Sequence, residues 1–138
     1  MTIRQVSVFV ENTSGRLAEV TRLLAKNQLN LRAISVADTA DFGILRIIVD
    51  DAEKAERVLE SGGFTAKLTE VIGVEVPDRP GGLADVMEIF DREKVNIEYL
   101  YTSLERNREN AVVIFKVAEL ELGLRICEKN NLSVISGF

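Results

Sequence analysis

The sequence predicts an α+β protein built from two tandem ferredoxin-like βαββαβ modules, each an antiparallel sheet with its helices on one face, the two paired side by side. Three observations lead there. The chain repeats itself at a fixed offset, strand-like and helix-like patterns follow one another in the same order in both halves, and glycine loops open the first helix of each. Sliding the 138-residue chain against itself by 66 positions aligns Val8 with Val74, Val10 with Val76, Gly15 with Gly81, Leu17 with Leu83, Ala18 with Ala84, Val20 with Val86 and Asn30 with Asn96. The register runs on through Ile47–Val49 against Val113–Phe115. It then slips by two, so that Val58 meets Ile126 and Phe64 meets Leu132.

Each element follows from local pattern. Val6, Val8 and Val10 alternate with Ser7 and Phe9 as a half-buried strand, and Val74 and Val76 repeat it. Ser14 is a suitable N-cap for a helix whose Leu17, Val20, Leu23 and Leu24 recur at helical spacing. Leu83, Val86, Met87 and Phe90 do the same in the second copy. Leu29–Ala37 and Ile44–Asp50 are a strand pair joined by a polar turn through Asp38–Gly43, with Val95–Thr102 and Val112–Val117 as counterparts. A second helix spans Asp51–Ser61, and Glu119–Asn130 in the repeat, stopped by Gly62-Gly63 and Asn130-Asn131. Strands Thr65–Val71 and Leu132–Ser136 close the modules, whose predicted limits are 1–70 and 71–138. Right-handed crossovers put both helices of a module on one sheet face.

Composition narrows the function. Apolar residues make up 46% of the chain, enough for a packed core, and the 28% that are charged are spread without long like-charge runs. Twenty-two acidic against 17 basic residues give a net charge of −5, the wrong sign for neutralising phosphates, so nucleic acid and membranes are not expected partners. The first residues lack a signal-peptide core, and no apolar run approaches the roughly 20 residues of a membrane span. A soluble, cytoplasmic protein is expected. Cys127 is the only cysteine and there is no histidine, which removes disulfides, Cys-His nucleophile pairs and the commonest metal sites. No cofactor is expected.

Topology places candidate binding surfaces. With the modules side by side about a pseudo-twofold axis, the loop after the first strand of one module comes beside the start of the second strand of the other. One cleft then combines Asn12, Ser14, Gly15, Arg16 and Leu17 with Asn96 and Ile97. The other combines Asp78, Gly81, Gly82 and Leu83 with Asn30 and Leu31. Each has a helix N-terminus, whose free N–H groups and dipole suit a carboxylate. The glycines let a ligand approach the backbone, or serve a tight turn needing φ > 0. Asn12 and Asp78 can accept from an ammonium group, or cap a turn. Asn30 and Asn96 can serve both ends of a zwitterion, or occupy a left-handed position after a helix. Arg16 can pair with a carboxylate, or be solvated. Leu17 and Leu83 are expected to seal the core beneath their loops.

The segments Val10-Glu11-Asn12-Thr13-Ser14-Gly15-Arg16-Leu17 and Val76-Pro77-Asp78-Arg79-Pro80-Gly81-Gly82-Leu83, each followed by a helix and then by Leu29-Asn30-Leu31 or Val95-Asn96-Ile97, resemble the ACT domain. The resemblance covers essentially the whole chain, and the second copy is similar to the ACT domain of phosphoglycerate dehydrogenases. It implies a stand-alone tandem ACT protein, not an enzyme, that senses a free L-amino acid between modules. The partners implied are that amino acid, an amino-acid metabolic enzyme and a second copy of the chain in a homodimer. Two alternatives are an ACT interaction subunit that binds no ligand and an acylphosphatase-like enzyme using Arg16 and Asn30. The serine specificity of the dehydrogenase branch does not carry over, since Asp78 stands where that branch has Asn.

Overall fold

A computed structural model describes residues 1–38, 41–104 and 109–138. Its elements are β1 (Ile3–Glu11), α1 (Arg16–Lys26), β2 (Leu31–Asp38), β3 (Phe42–Val49), α2 (Ala52–Ser61), β4 (Thr65–Pro77), α3 (Gly82–Arg92), β5 (Ile97–Thr102), β6 (Asn110–Val117), α4 (Leu120–Lys129) and β7 (Ser133–Ile135). The chain divides into two compact units, Arg4–Thr69 and Glu70–Phe138, and Met1–Ile3 belong with the second. Residues 39–40 of the turn expected at Asp38–Gly43 lie outside the described residues.

In the first unit β1 pairs with β3 and β3 with β2, all antiparallel. In the second, β4 lies between β6 and β7, and β5 pairs with β6, again antiparallel. Each core lies between sheet and helices. Val6, Val8, Val10, Leu45 and Ile47 meet Val20, Leu24, Ala55 and Leu59 in the first unit. Val74, Val76, Val113 and Phe115 meet Val86, Phe90, Ile126 and Cys127 in the second. The Phe90 and Phe115 rings pack edge to face with centroids 5.2 Å apart, a geometry that aligns the positive edge of one ring with the negative face of the other. Alternation along β1 departs from expectation at Ser7, which is buried, bonded to Gln5 Nε2 at 2.9 Å and beside Thr69 Oγ1 at 3.2 Å, whereas Phe9 is exposed as the pattern requires.

All four helices end in the same way. A left-handed residue, Gln28, Gly63, Lys94 or Asn131, follows the C-cap. The next residue, Leu29, Phe64, Val95 or Leu132, then donates its N–H back to Leu24, Leu59, Phe90 or Cys127 at 2.9–3.0 Å. This is the Schellman closure, and the apolar residue after it packs back on the helix. It explains three corrections at once. Leu29, Val95 and Leu132 were expected to begin strands, but their N–H groups are committed to the helix, so β2, β5 and β7 start later. The strands expected at Thr65–Val71 and at Val74–Val76 are one, the 13-residue β4. Asp51 caps α2 by accepting from Lys54 N–H at 3.1 Å.

Candidate functional site

The two glycine loops are near copies in their backbone. Thr13 N–H donates to Glu11 O at 2.8 Å and Arg79 N–H to Pro77 O at 2.9 Å. Gly15 and Gly81 are the N-caps of α1 and α3, with φ of 91° and 88°, and neither helix has a side-chain cap bond. Ser14 is therefore not the cap that its residue type suggests. A cap side chain works from an extended backbone, and the left-handed conformation of the next residue moves the helix start to a glycine with no side chain to offer. The first N–H of each helix is spent within its loop, Arg16 N–H on Thr13 O at 3.4 Å and Gly82 N–H on Arg79 O at 3.0 Å. The N–H groups with no acceptor within the helix that remain for solvent or ligand are therefore those of Leu17 and Ala18 and of Leu83 and Ala84. Gly82 has a different reason for being glycine. A Cβ there would lie 2.2 Å from Pro77 O.

The predicted residues fall into separate groups. Asn12, Ser14, Gly15 and Leu17 are exposed on the first loop, and Asp78, Gly81 and Leu83 on the second, with Gly82 buried. Leu17 and Leu83 do not seal the core, being 45% and 39% exposed, because the buried stripe starts one turn later at Val20 and Val86. Asn12 N–H donates to Asp41 O at 3.0 Å, which ties this loop to the start of β3. Asn30 and Asn96 are exposed, and Leu31 and Ile97 half-buried, at the starts of β2 and β5. Neither Asn occupies a left-handed position, since Gln28 and Lys94 hold those conformations. Asn30 N–H bonds Asp50 Oδ1 at 3.2 Å.

Loop and Asn of one unit stand at opposite ends of its sheet. Glu11 pairs with Phe42 and Leu31 with Val49, at the two ends of β3; seven steps of ~3.3 Å make that about 23 Å. Pro77 pairs with Asn110 and Ile97 with Val117, at the two ends of β6, for the same reason. No single unit can bring its own loop and its own Asn onto one small ligand. The Arg16 and Asn30 pair that an acylphosphatase-like site would need is separated by this geometry.

Arg16 is not solvated as a first-turn arginine usually is. Its guanidinium carbon lies 4.5 Å from the centroid of the Phe64 ring, and its Nη1 is 2.7 Å from Glu19 Oε2. On the second loop Arg79 bonds Asp85 at 2.9 Å and Pro80 O at 3.1 Å. Asn96 and Ile97 line a cavity of about 430 Å³ together with Met87, Phe90, Asp91, Lys94 and Val95. None of those five was singled out as a site residue, Met87 and Phe90 being read as core positions of the helix and Val95 as the start of a strand, and the signal that could have found them is the last turn of α3 leading into Asn96. A cavity of about 680 Å³ lies between Leu124, Glu128, Leu132, Val134 and Met1, apart from every predicted site residue. Burial raises the Cys127 thiol from the ordinary 9.0 to about 11. Among the described residues there is no cluster of three or more metal-ligating side chains, and no helix long and apolar enough to cross a membrane.

Known proteins share this arrangement. A family model described as an ACT domain pair matches residues 1–137. A protein of Bacteroides thetaiotaomicron of known crystal structure is 38% identical, with a TM-score of 0.91 over 98% of this chain and 92% of that one. The regulatory subunit of aspartate kinase from Thermus thermophilus, in a ligand-free form, is 21% identical and shares the fold, with a TM-score of 0.64 over 91% of each chain. The acetolactate synthase small subunit of Buchnera aphidicola subsp. Baizongia pistaciae is 24% identical over 132 residues, 96% of this chain and 76% of that protein.

Proposed function

Because the chain belongs to the ACT domain pair family, we propose that it is a cytoplasmic regulatory protein, with no catalysis of its own, that binds a free L-amino acid and passes its occupancy to an amino-acid biosynthetic enzyme. The observation that carries this reading is the duplicated glycine loop, whose helix N-terminus has no side-chain cap and lies about 23 Å from the Asn of its own unit. Such a terminus suits a carboxylate. The ammonium group falls to Asn12 or Asp78. The remaining polar contact, Asn96 or Asn30, comes from another module, either the twin in the same chain or one in a second copy. Relatives named as a small subunit of acetolactate synthase and a regulatory subunit of aspartate kinase support an enzyme as partner.

A few contacts of about 0.5–3 kcal/mol each, with one buried side chain, fit micromolar to millimolar affinity, the range in which metabolite pools are sensed. Calorimetry and thermal shift against the twenty L-amino acids test the reading. At least one should give heat and raise the melting temperature. Asn96→Ala and Asp78→Ala should each weaken binding without unfolding the chain, and should act on different sites. Silence from all twenty would leave a second reading, an interaction module that binds no ligand. That reading is favoured by the exposed Phe9 and Phe42, which with Gly43 and Ile44 line an apolar hollow of about 390 Å³.

A further inference from the structure

We propose that Arg16 is a specificity-determining residue, which makes the first glycine loop the tighter of the two amino-acid sites by holding a guanidinium in place for the ligand's carboxylate. This rests on the amino-acid reading above and goes beyond it by making the two loops unequal. Arg16 opens α1, the helix whose uncapped N-terminus would receive that carboxylate. Its guanidinium is held from two sides, stacked at 4.5 Å on Phe64, a ring only 6% exposed, and paired at 2.7 Å with Glu19. The side chain keeps 27% of its surface, and its Nε is buried without a hydrogen-bond partner. An arginine at a loop mouth ordinarily gives up rotamer freedom when it binds. Here the stack has already imposed that loss, so little more is given up when an anion arrives.

The second loop lacks both halves of this device. Gly82 stands at the position of Arg16, where Pro77 O excludes any side chain, and Leu132 stands at the position of Phe64. The arginine it does have, Arg79, has a side chain 55% exposed, with no ring beneath it among the described contacts, and bonds Pro80 O of its own loop and Asp85 of α3. Asp78 adds a negative charge where the first loop has the neutral Asn12. Glu11 of the first loop stands where the second has Pro77, so the two loops carry the same net charge, and what sets them apart is a guanidinium fixed on an aromatic ring.

The test uses the full chain, the L-amino acid that binds it most tightly in the panel, and the α-carboxamide of that amino acid. Calorimetry on the wild type should resolve a tighter and a weaker site, with the carboxamide losing affinity mainly at the tighter one. Arg16→Gln should weaken the tighter site by about 10- to 100-fold, the range for a hydrogen bond to a charged group, and should erase the acid-over-amide preference there. Arg16→Lys keeps the charge without the planar stack and should recover only part of the loss. Phe64→Leu, which copies the second module, should weaken binding in the wild type and have no further effect in Arg16→Gln. A merely structural Arg16 would alter stability and leave the acid-to-amide ratio as it was. If an amino acid binds and Arg16→Gln keeps both its affinity and that ratio, the inference is overturned while the amino-acid reading stands. If the wild type binds none of the twenty, the amino-acid reading itself fails.

Discussion

Replacing Gly82 by alanine should lower stability through steric conflict alone. Gly82 does not have a positive φ, so alanine could adopt its backbone. Its added Cβ, however, would lie 2.2 Å from Pro77 O and 3.3 Å from Pro77 C, which are backbone atoms of the same turn. That turn is tied by Arg79 N–H to Pro77 O at 2.9 Å and Gly82 N–H to Arg79 O at 3.0 Å, so relief requires breaking at least one of these bonds. Overpacking of this kind costs about 1–3 kcal/mol. For a chain of this length each kcal/mol moves the melting temperature by roughly 3–5 °C, which puts the expected fall at roughly 3–15 °C in calorimetry or circular dichroism. Gly15→Ala is the internal comparison. It has no atom within 4 Å of the new Cβ but a φ of +91°, and should cost about 1–2 kcal/mol from backbone conformation only. A melting temperature for Gly82→Ala within about 1 °C of wild type would refute the reasoning.

Three further outcomes are expected. Leu24→Ala, at a position 1% exposed in the core of the first unit, should cost about 2–5 kcal/mol by chemical denaturation. Ile3→Ala should loosen the second unit, since Ile3 and Ile135 both lie against the backbone of Gly73; hydrogen exchange should show the loss of protection in β7 and the adjoining part of β4. Folding keeps the Cys127 thiol protonated up to about pH 11, while the unfolded chain loses that proton above its ordinary 9.0. Unfolding therefore releases a proton in that window, and stability should fall as pH rises from 9 to 11. A Cys127→Ala variant should show a flatter profile, and the native thiol should resist alkylation at pH 8.

The repeat was the most legible feature of the sequence, because strand and helix periodicities depend only on which side of an element meets the core. The paired stops after α2 and α4 were legible for a similar reason, each being a local matter of one or two residue types, whereas Asp51, expected as the first helical residue, is the cap. Boundaries that depend on bond allocation were not. Leu29, Val95 and Leu132 have strand-like character, but their N–H groups close helices, a choice set by the left-handed residue before each one. Ser14 was a sound cap by residue type and was displaced by its glycine neighbour. The candidate site was legible as two loops and two asparagines, with the opposition of loop and Asn following from topology. The Arg16 stack was not, since it depends on Phe64, 48 positions away along the chain.

Strand β4 leaves the two units with no linker between them. Ala66 and Leu68 pack on the first core and Ile72, Val74 and Val76 on the second, while Glu70 between them is exposed. Within either half the pleat alone decides which side chains point inward. A residue inserted among positions 66–68 or 72–76 would turn that unit's own buried side chains outward or force a bulge, so an edit to this one strand damages whichever core it falls in.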